Sequence, residues 1–203
     1  VVVKSRREEY AEATRTAIVG AAIDRFGADG FAGTTIDAVA DSARVTKGGV
    51  YHHFSDKAAL FEAAFVSLED QLLTAVVAAA AGARTPWESA ERGIDAYLDA
   101  CREPRFRRIV LEDAPGALGW ARWKEIDERY FLRSVRGALT LLARAGEIRL
   151  EDPDLTARLL LAAMGEAGLV LAHSSDPAAR DHVRASLLQL LHGLGPGTTI
   201  DPP

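Results

Sequence analysis

Thr34-Thr35-Ile36-Asp37-Ala38-Val39-Ala40-Asp41-Ser42-Ala43-Arg44-Val45-Thr46-Lys47-Gly48-Gly49-Val50-Tyr51-His52-His53-Phe54 is the stretch on which the reading of this chain turns. Thr35 is a good N-cap, and Ile36, Val39 and Ala40 recur at the spacing of one helix face. Ala43-Arg44-Val45-Thr46 reads as a tight turn. Thr46 then caps a second short helix, in which Val50 and Phe54 point inward at i, i+4 spacing. Thr46, Lys47, Tyr51 and His52 are left on a surface with little reason to be buried. Two short helices arranged this way form a helix-turn-helix, whose second helix enters the major groove of DNA.

The chemistry of the second helix supports that layout. Two adjacent glycines inside a helix cost about 1 kcal/mol each against alanine, so something must offset Gly48 and Gly49. The simplest account is steric: without side chains, the helix start can approach a phosphate or base edge closely. Its free N–H groups and dipole then favour a phosphate oxygen. The Thr35 and Thr46 hydroxyls suit phosphate as well. Lys47 suits phosphate or guanine, and Tyr51, one turn on, reaches phosphate or a thymine methyl. His52 offers a donor and an acceptor. Arg44 in the turn adds positive charge, and Lys57, at the start of the next helix, reaches the backbone from the side. His53 is assigned to the junction with that helix.

The rest of the 203-residue chain reads as helix throughout, with no convincing strand and no internal repeat. A first helix is expected over about 7–28, stopped by Gly27 and Gly30. Ser55 is expected to cap a long fourth helix over about 56–81, with Leu60, Phe61, Ala64, Phe65, Leu68, Leu72 and Val76 as its inner stripe. Thr85-Pro86 opens a fifth helix. Glu103-Pro104 opens a sixth, broken at Ala114-Pro115-Gly116, a segment read as a mobile gate. A seventh follows over about 118–145, and Asp152-Pro153 and Asp176-Pro177 open an eighth and a ninth. The expectation is an all-α protein of about nine helices, divided into a helix-turn-helix head over 1–57, a helical second domain over 58–195 and a flexible tail over 196–203.

Nearly half of the residues (48%) are apolar, enough for a real core. The net charge of −5 looks wrong for a DNA reader. However, residues 1–57 hold eight Lys/Arg and eight Asp/Glu, and all of the excess acid lies beyond them. A local basic face from Lys4, Arg6, Arg7, Arg44, Lys47 and Lys57 matters more than the whole-chain sum. Cys101 is alone, so no intrachain disulfide forms, which fits a cytoplasmic location. No uninterrupted apolar run of about 18 residues is present, so no membrane partner is expected. No His-x-x-x-His spacing and no Gly-x-Ser-x-Gly elbow occur; neither an enzyme, a metal site nor a cofactor is expected.

The pattern Ala22…Phe26…Gly30-Phe31…Thr34-Thr35-Ile36…Val39-Ala40…Ala43…Val45…Lys47-Gly48…Val50-Tyr51…His53-Phe54…Lys57…Leu60 resembles the DNA-binding head of the tetracycline-repressor (TetR) family over about sixty residues. The resemblance implies a three-helix head joined by a fourth helix to a variable helical domain for ligand binding and dimerisation. It further implies DNA contacts by Thr35, Thr46, Lys47, Tyr51, His52 and Lys57. The implied function is a repressor that leaves a palindromic operator when a small molecule binds. Activation, or DNA binding without a ligand, remains an alternative on the same fold.

Beyond residue 80 physical reasoning takes over. One short recognition helix reads few base pairs, so a homodimer with heads about 34–36 Å apart is expected. Its seam is placed on the last two helices. The eighth is apolar almost all round, with Ala163, Gly165 and Gly168 allowing close approach, and the ninth adds Val183, Leu187, Leu188, Leu190 and Leu191. An effector site is expected among helices five to eight. Its candidates are Tyr97, Phe106, Trp120, Trp123, Tyr130, Phe131 and Met164, with Glu166 and His173 as polar handles.

Overall fold

The computed structural model describes residues 5–195. Its ordered elements are all helical, and no strand occurs among the described residues. We number the helices α1 (Arg6–Gly33), α2 (Ile36–Ala43), α3 (Lys47–His53), α4 (Lys57–Ala81), α5 (Pro86–Arg102), α6 (104–118), α7 (Trp120–Arg144), α8 (Pro153–His173) and α9 (Ala179–His192). The all-α expectation holds. The proposed tail over 196–203, and Lys4, lie outside the described residues.

Most helix starts follow from local capping chemistry. The hydroxyls of Thr35, Thr46 and Thr85 accept from the N–H groups of Ala38, Gly49 and Glu88. The Asp152 carboxylate accepts from both Asp154 and Leu155. At α4 the cap is Asp56, whose Oδ1 accepts the Ala59 N–H at 2.8 Å; Ser55 instead donates to Asp56. Helix α1 starts one residue before its expected place because Ser5 and Glu8 form a reciprocal capping box. It also passes through Gly27 and breaks at Gly30, whose φ of 72° lies in the left-handed region. There a Cβ would collide with the Arg108 guanidinium.

Helix α6 departs from expectation. It is α-helical over Pro104–Phe106, π-helical over Arg107–Asp113 and α-helical again over Ala114–Leu118. The Ala114 N–H reaches back five residues to Ile109 O. The predicted break and gate at Ala114-Pro115-Gly116 is therefore absent. Pro115 directly follows the π-helical stretch, and the chain breaks later, at Gly119 (φ 79°).

The chain divides into two compact units. The first holds 5–68 and 104–121 of the described residues, and the second holds 69–103 and 122–195. The first unit thus exceeds the expected 1–57 head, for a packing reason. Phe61 on α4 is fully buried, and its ring meets Phe26 and Phe31 edge-on with centroids 5.0 Å apart. Leu60, Ala64 and Phe65 are equally buried. From α6, Asp113 accepts the Phe31 N–H at 2.7 Å, and Arg105 pairs with Asp24 at 2.6 Å. In the second unit, Arg184 and Arg180 on α9 bind the Asp95 carboxylate on α5, and Arg180 also binds Asp99. The two guanidiniums, Arg184 foremost, hold the Asp95 carboxyl below the usual carboxylate range.

Over their full lengths, α4 and α8 are apolar and long enough to cross a membrane, with mean hydropathy of 1.4 and 1.6 in their best windows. Reading only uninterrupted runs missed this, because one or two charges do not spoil such a window. For α4 the apolar side chains Leu60, Phe61 and Phe65 are consumed by the core.

Candidate DNA interface and interior cavity

The turn between α2 and α3 is made by Arg44, which adopts the left-handed conformation (φ 55°, ψ 41°) usually left to glycine. The Val45 N–H then closes on Ala40 O at 3.0 Å. Arg25 on α1 donates to Ser42 Oγ at 2.8 Å and ties the end of α2 to the core. Val50 and Phe54 are buried (0% and 5% exposed), and Arg15 lies over the Phe54 ring at 4.9 Å.

This scaffold leaves Thr35, Arg44, Thr46, Lys47, Gly48, Tyr51 and His52 exposed. His53 is half-buried, its ring beside those of His52 and Phe54. Two cations are not idle in the free protein. Lys47 Nζ pairs with Asp37 Oδ2 at 2.8 Å, which raises the ammonium pKa. Lys57 is half-buried: its ammonium donates to the carbonyls of Phe31 and Thr34 at 2.8 and 3.2 Å and sits 4.5 Å from the Phe31 ring centroid. Lys57 therefore braces the α1–α2 loop as well as lying near the face. Gly48 is not required by the fold: its φ is not left-handed, and an added Cβ would find only Thr46 Oγ1, at 3.9 Å.

The second unit contains a mostly apolar cavity of about 100 Å³ walled by α4, α5, α7, α8 and α9, with Val76, Ile94, Tyr97, Phe131 and Met164 among its lining. Tyr97, Phe131 and Met164 are brought together there, and the Tyr97 hydroxyl donates to Met164 O at 2.8 Å. The other sequence candidates do not line it. Phe106 and Trp120 belong to the first unit, Phe106 as a buried core residue and Trp120 at 64% exposure. Trp123, Tyr130, Glu166 and His173 lie outside the lining, and the His173 Nδ1 is spent on Leu169 O at 2.8 Å. An aromatic wall around Trp120 and Trp123 is thus not what shapes this cavity.

One residue escaped the sequence reading. Glu69 on α4 is 2% exposed, and its Oε2 has no hydrogen-bond partner among the described residues. Burial, and then the charge of Asp127, push its pKa well above the usual carboxyl value. Asp127 on α7 is itself raised to about 6, chiefly by burial. Cys101 is raised to about 12 by the same cause, so its thiol is inert. The available signal was positional: Glu69 stands seven residues before Val76 and eleven before Ala80, on the stripe that walls the cavity.

An exposed, glycine-bearing helix on a three-helix core, in a chain whose second unit is helical and carries an apolar cavity, is the layout of a helix-turn-helix DNA-binding regulator. Two family models match in keeping with this: "Bacterial regulatory proteins, tetR family" over residues 18–64, and "Tetracyclin repressor-like, C-terminal domain" over 87–194. The chain belongs to the TetR family of transcriptional regulators, which bind DNA and are not enzymes. The Transposon Tn10 TetC protein of Escherichia coli is 25% identical over 159 residues, spanning 77% of this chain and 79% of that protein. A TetR-family transcriptional regulator from Pectobacterium atrosepticum is 31% identical with a TM-score of 0.83, covering 96% and 99% of the two chains. FadR from Bacillus subtilis, solved with stearoyl-CoA, shares the fold at 18% identity and a TM-score of 0.73, over 87% and 96% of the chains.

Proposed function

We propose that this regulator is a repressor that binds a palindromic operator as a homodimer and leaves it when a small molecule enters the second unit. DNA reading resides in the 1–57 segment and effector binding and dimerisation in 58–195. The observation that carries the reading is Gly48: a helical glycine that the free protein has no steric need for, flanked by exposed Thr46, Lys47, Tyr51 and His52. A close contact with something outside the protein gives it a reason. In this account Gly48 lets the start of α3 meet a phosphate. Thr35, Thr46 and Arg44 hold the backbone, Lys47 and Tyr51 divide between backbone and base edge, and His52 reads a base. Lys57 offers its remaining N–H to a phosphate from its place against Phe31 and Thr34.

Dimerisation through α8 and α9 is supported by what those helices leave uncovered. Leu155, Leu159, Val170 and Leu190 are 46–63% exposed, while the Arg180 and Arg184 guanidiniums of α9 are committed to α5. A Cβ at Gly165 would meet nothing within 4 Å, leaving room for a partner helix. Effector binding is supported by the apolar cavity with its few polar groups. Since α4 carries both Val76 and, five turns earlier, Lys57, a shift of its cavity wall reaches the head through one continuous helix. The effector then favours a dimer whose recognition helices no longer match the operator spacing. As a DNA regulator it works in the cytoplasm.

Selection of bound sites from a random duplex pool tests this. The expected product is a palindrome bound by two chains. Recovery of no enriched sequence, or of a non-repeated site bound by one chain, contradicts it.

A further inference from the structure

Beyond the cavity lining, three of its helices carry acidic or polar groups on the same stripes. On α4, Glu69 shares a stripe with the lining residues Val76 and Ala80. On α7, Asp127 stands four, seven and eleven residues before Phe131, Ser134 and Ala138, again one stripe. On α5, Cys101 follows Tyr97 by one turn, and Tyr97 lines the cavity. These stripes carry two carboxyls, a phenol and a thiol. The groups lie within electrostatic reach of one another: Glu69 acts on Tyr97, Cys101 and Tyr130, Asp127 acts on Tyr97, and Asp70 acts on Tyr130. Lys124 acts on Asp127 and is itself paired with Glu128 at 3.3 Å.

A buried carboxyl with an unpartnered oxygen costs stability that a core residue would not, so a role in binding accounts for it better than packing does. Resting on the effector reading above, we propose that the ligand of this cavity is an amphipathic amine, its ammonium received by Glu69 and Asp127 and its slender apolar body lying among Val76, Ile94 and Phe131. The ammonium supplies the donors that Glu69 Oε2 lacks and separates the two like charges.

The test is calorimetry on the full chain with 4-phenylbutylamine, 4-phenylbutanol and 4-phenylbutanoate, three molecules that differ only in the head group. The amine is expected to bind at least about tenfold tighter than the alcohol, and the carboxylate more weakly than either. In Glu69→Gln the amine preference should fall to within about twofold while the alcohol is unaffected. Should that variant fail to fold, Asp127→Asn, at a half-buried position, must reduce the preference. Equal binding of amine and alcohol to the unaltered protein, or a preference surviving in both variants, overturns the amine assignment and leaves the cavity reading standing. Binding of none of the three overturns both.

Discussion

Gly48→Ala separates stability from DNA binding. In the free protein the new methyl has one neighbour, Thr46 Oγ1 at 3.9 Å, an ordinary contact. The backbone is helical there, so alanine should stabilise α3 by about 0.5–1 kcal/mol through lower unfolded-state entropy and better helix propensity. For a chain of this size that is a rise in Tm of about 2 °C. Against DNA the sign reverses. If the start of α3 approaches a phosphate as closely as Gly48 permits, the methyl forces each head outward, and both heads of a dimer suffer. A loss of at least about tenfold in operator affinity, or about 1.4 kcal/mol per complex, is expected. Thermal denaturation and a fluorescence-anisotropy titration on the same preparation check both arms. A raised Tm with unaltered operator affinity would refute the close-approach argument. A lowered Tm would refute the packing argument beneath it.

Arg44→Gly should also stabilise, by about 1 kcal/mol, because glycine adopts the φ of 55° without penalty. In salt titrations of operator binding it should lower the slope by about two per dimer, one phosphate contact per head. Phe61→Ala removes a fully buried ring that meets Phe26 and Phe31, and denaturant unfolding should show a loss of about 3–5 kcal/mol. Asp127→Asn tests the carboxyl proposed to receive the ligand's head group. A carboxyl raised from 3.8 to about 6 is more readily protonated folded than unfolded, so its unfavourable ionisation erodes stability as pH rises through that window. The variant should gain up to about 3 kcal/mol over the unaltered protein at pH 7.5 and almost nothing at pH 3.5, read from urea midpoints. Leu159→Glu with Leu190→Glu charges two exposed positions of α8 and α9; sedimentation should show single chains with unchanged helical content, and a persisting dimer would move the seam elsewhere.

What the sequence disclosed was mostly local chemistry. Thr35, Thr46, Thr85 and Asp152 cap helices by bonds to residues two or three ahead, so their roles can be read from a few neighbours. The Ser5–Glu8 box is equally readable from its spacing. The choice of Asp56 over Ser55 turns on a single residue of register that composition does not distinguish. The π-helical stretch in α6 was not legible, since its bonding depends on how residues 104–121 lodge in the first unit. The recognition face stood out because its residues lack apolar partners. The cavity did not, because Phe106, Trp120 and Phe131 are equally aromatic on paper and only packing distributes them between units. Glu69 was hidden for the opposite reason: an acid on a long helix reads as solvated until its neighbours are known.

The salt dependence of binding to the selected operator tests the central claim most directly. Arg44, Lys47 and Lys57 on each of two heads amount to about six phosphate contacts, so log K should fall against log salt with a slope of about −5, at a stoichiometry of two chains per duplex. A slope near zero, or a single chain ignoring the duplex at low ionic strength, would contradict a paired helix-turn-helix reader.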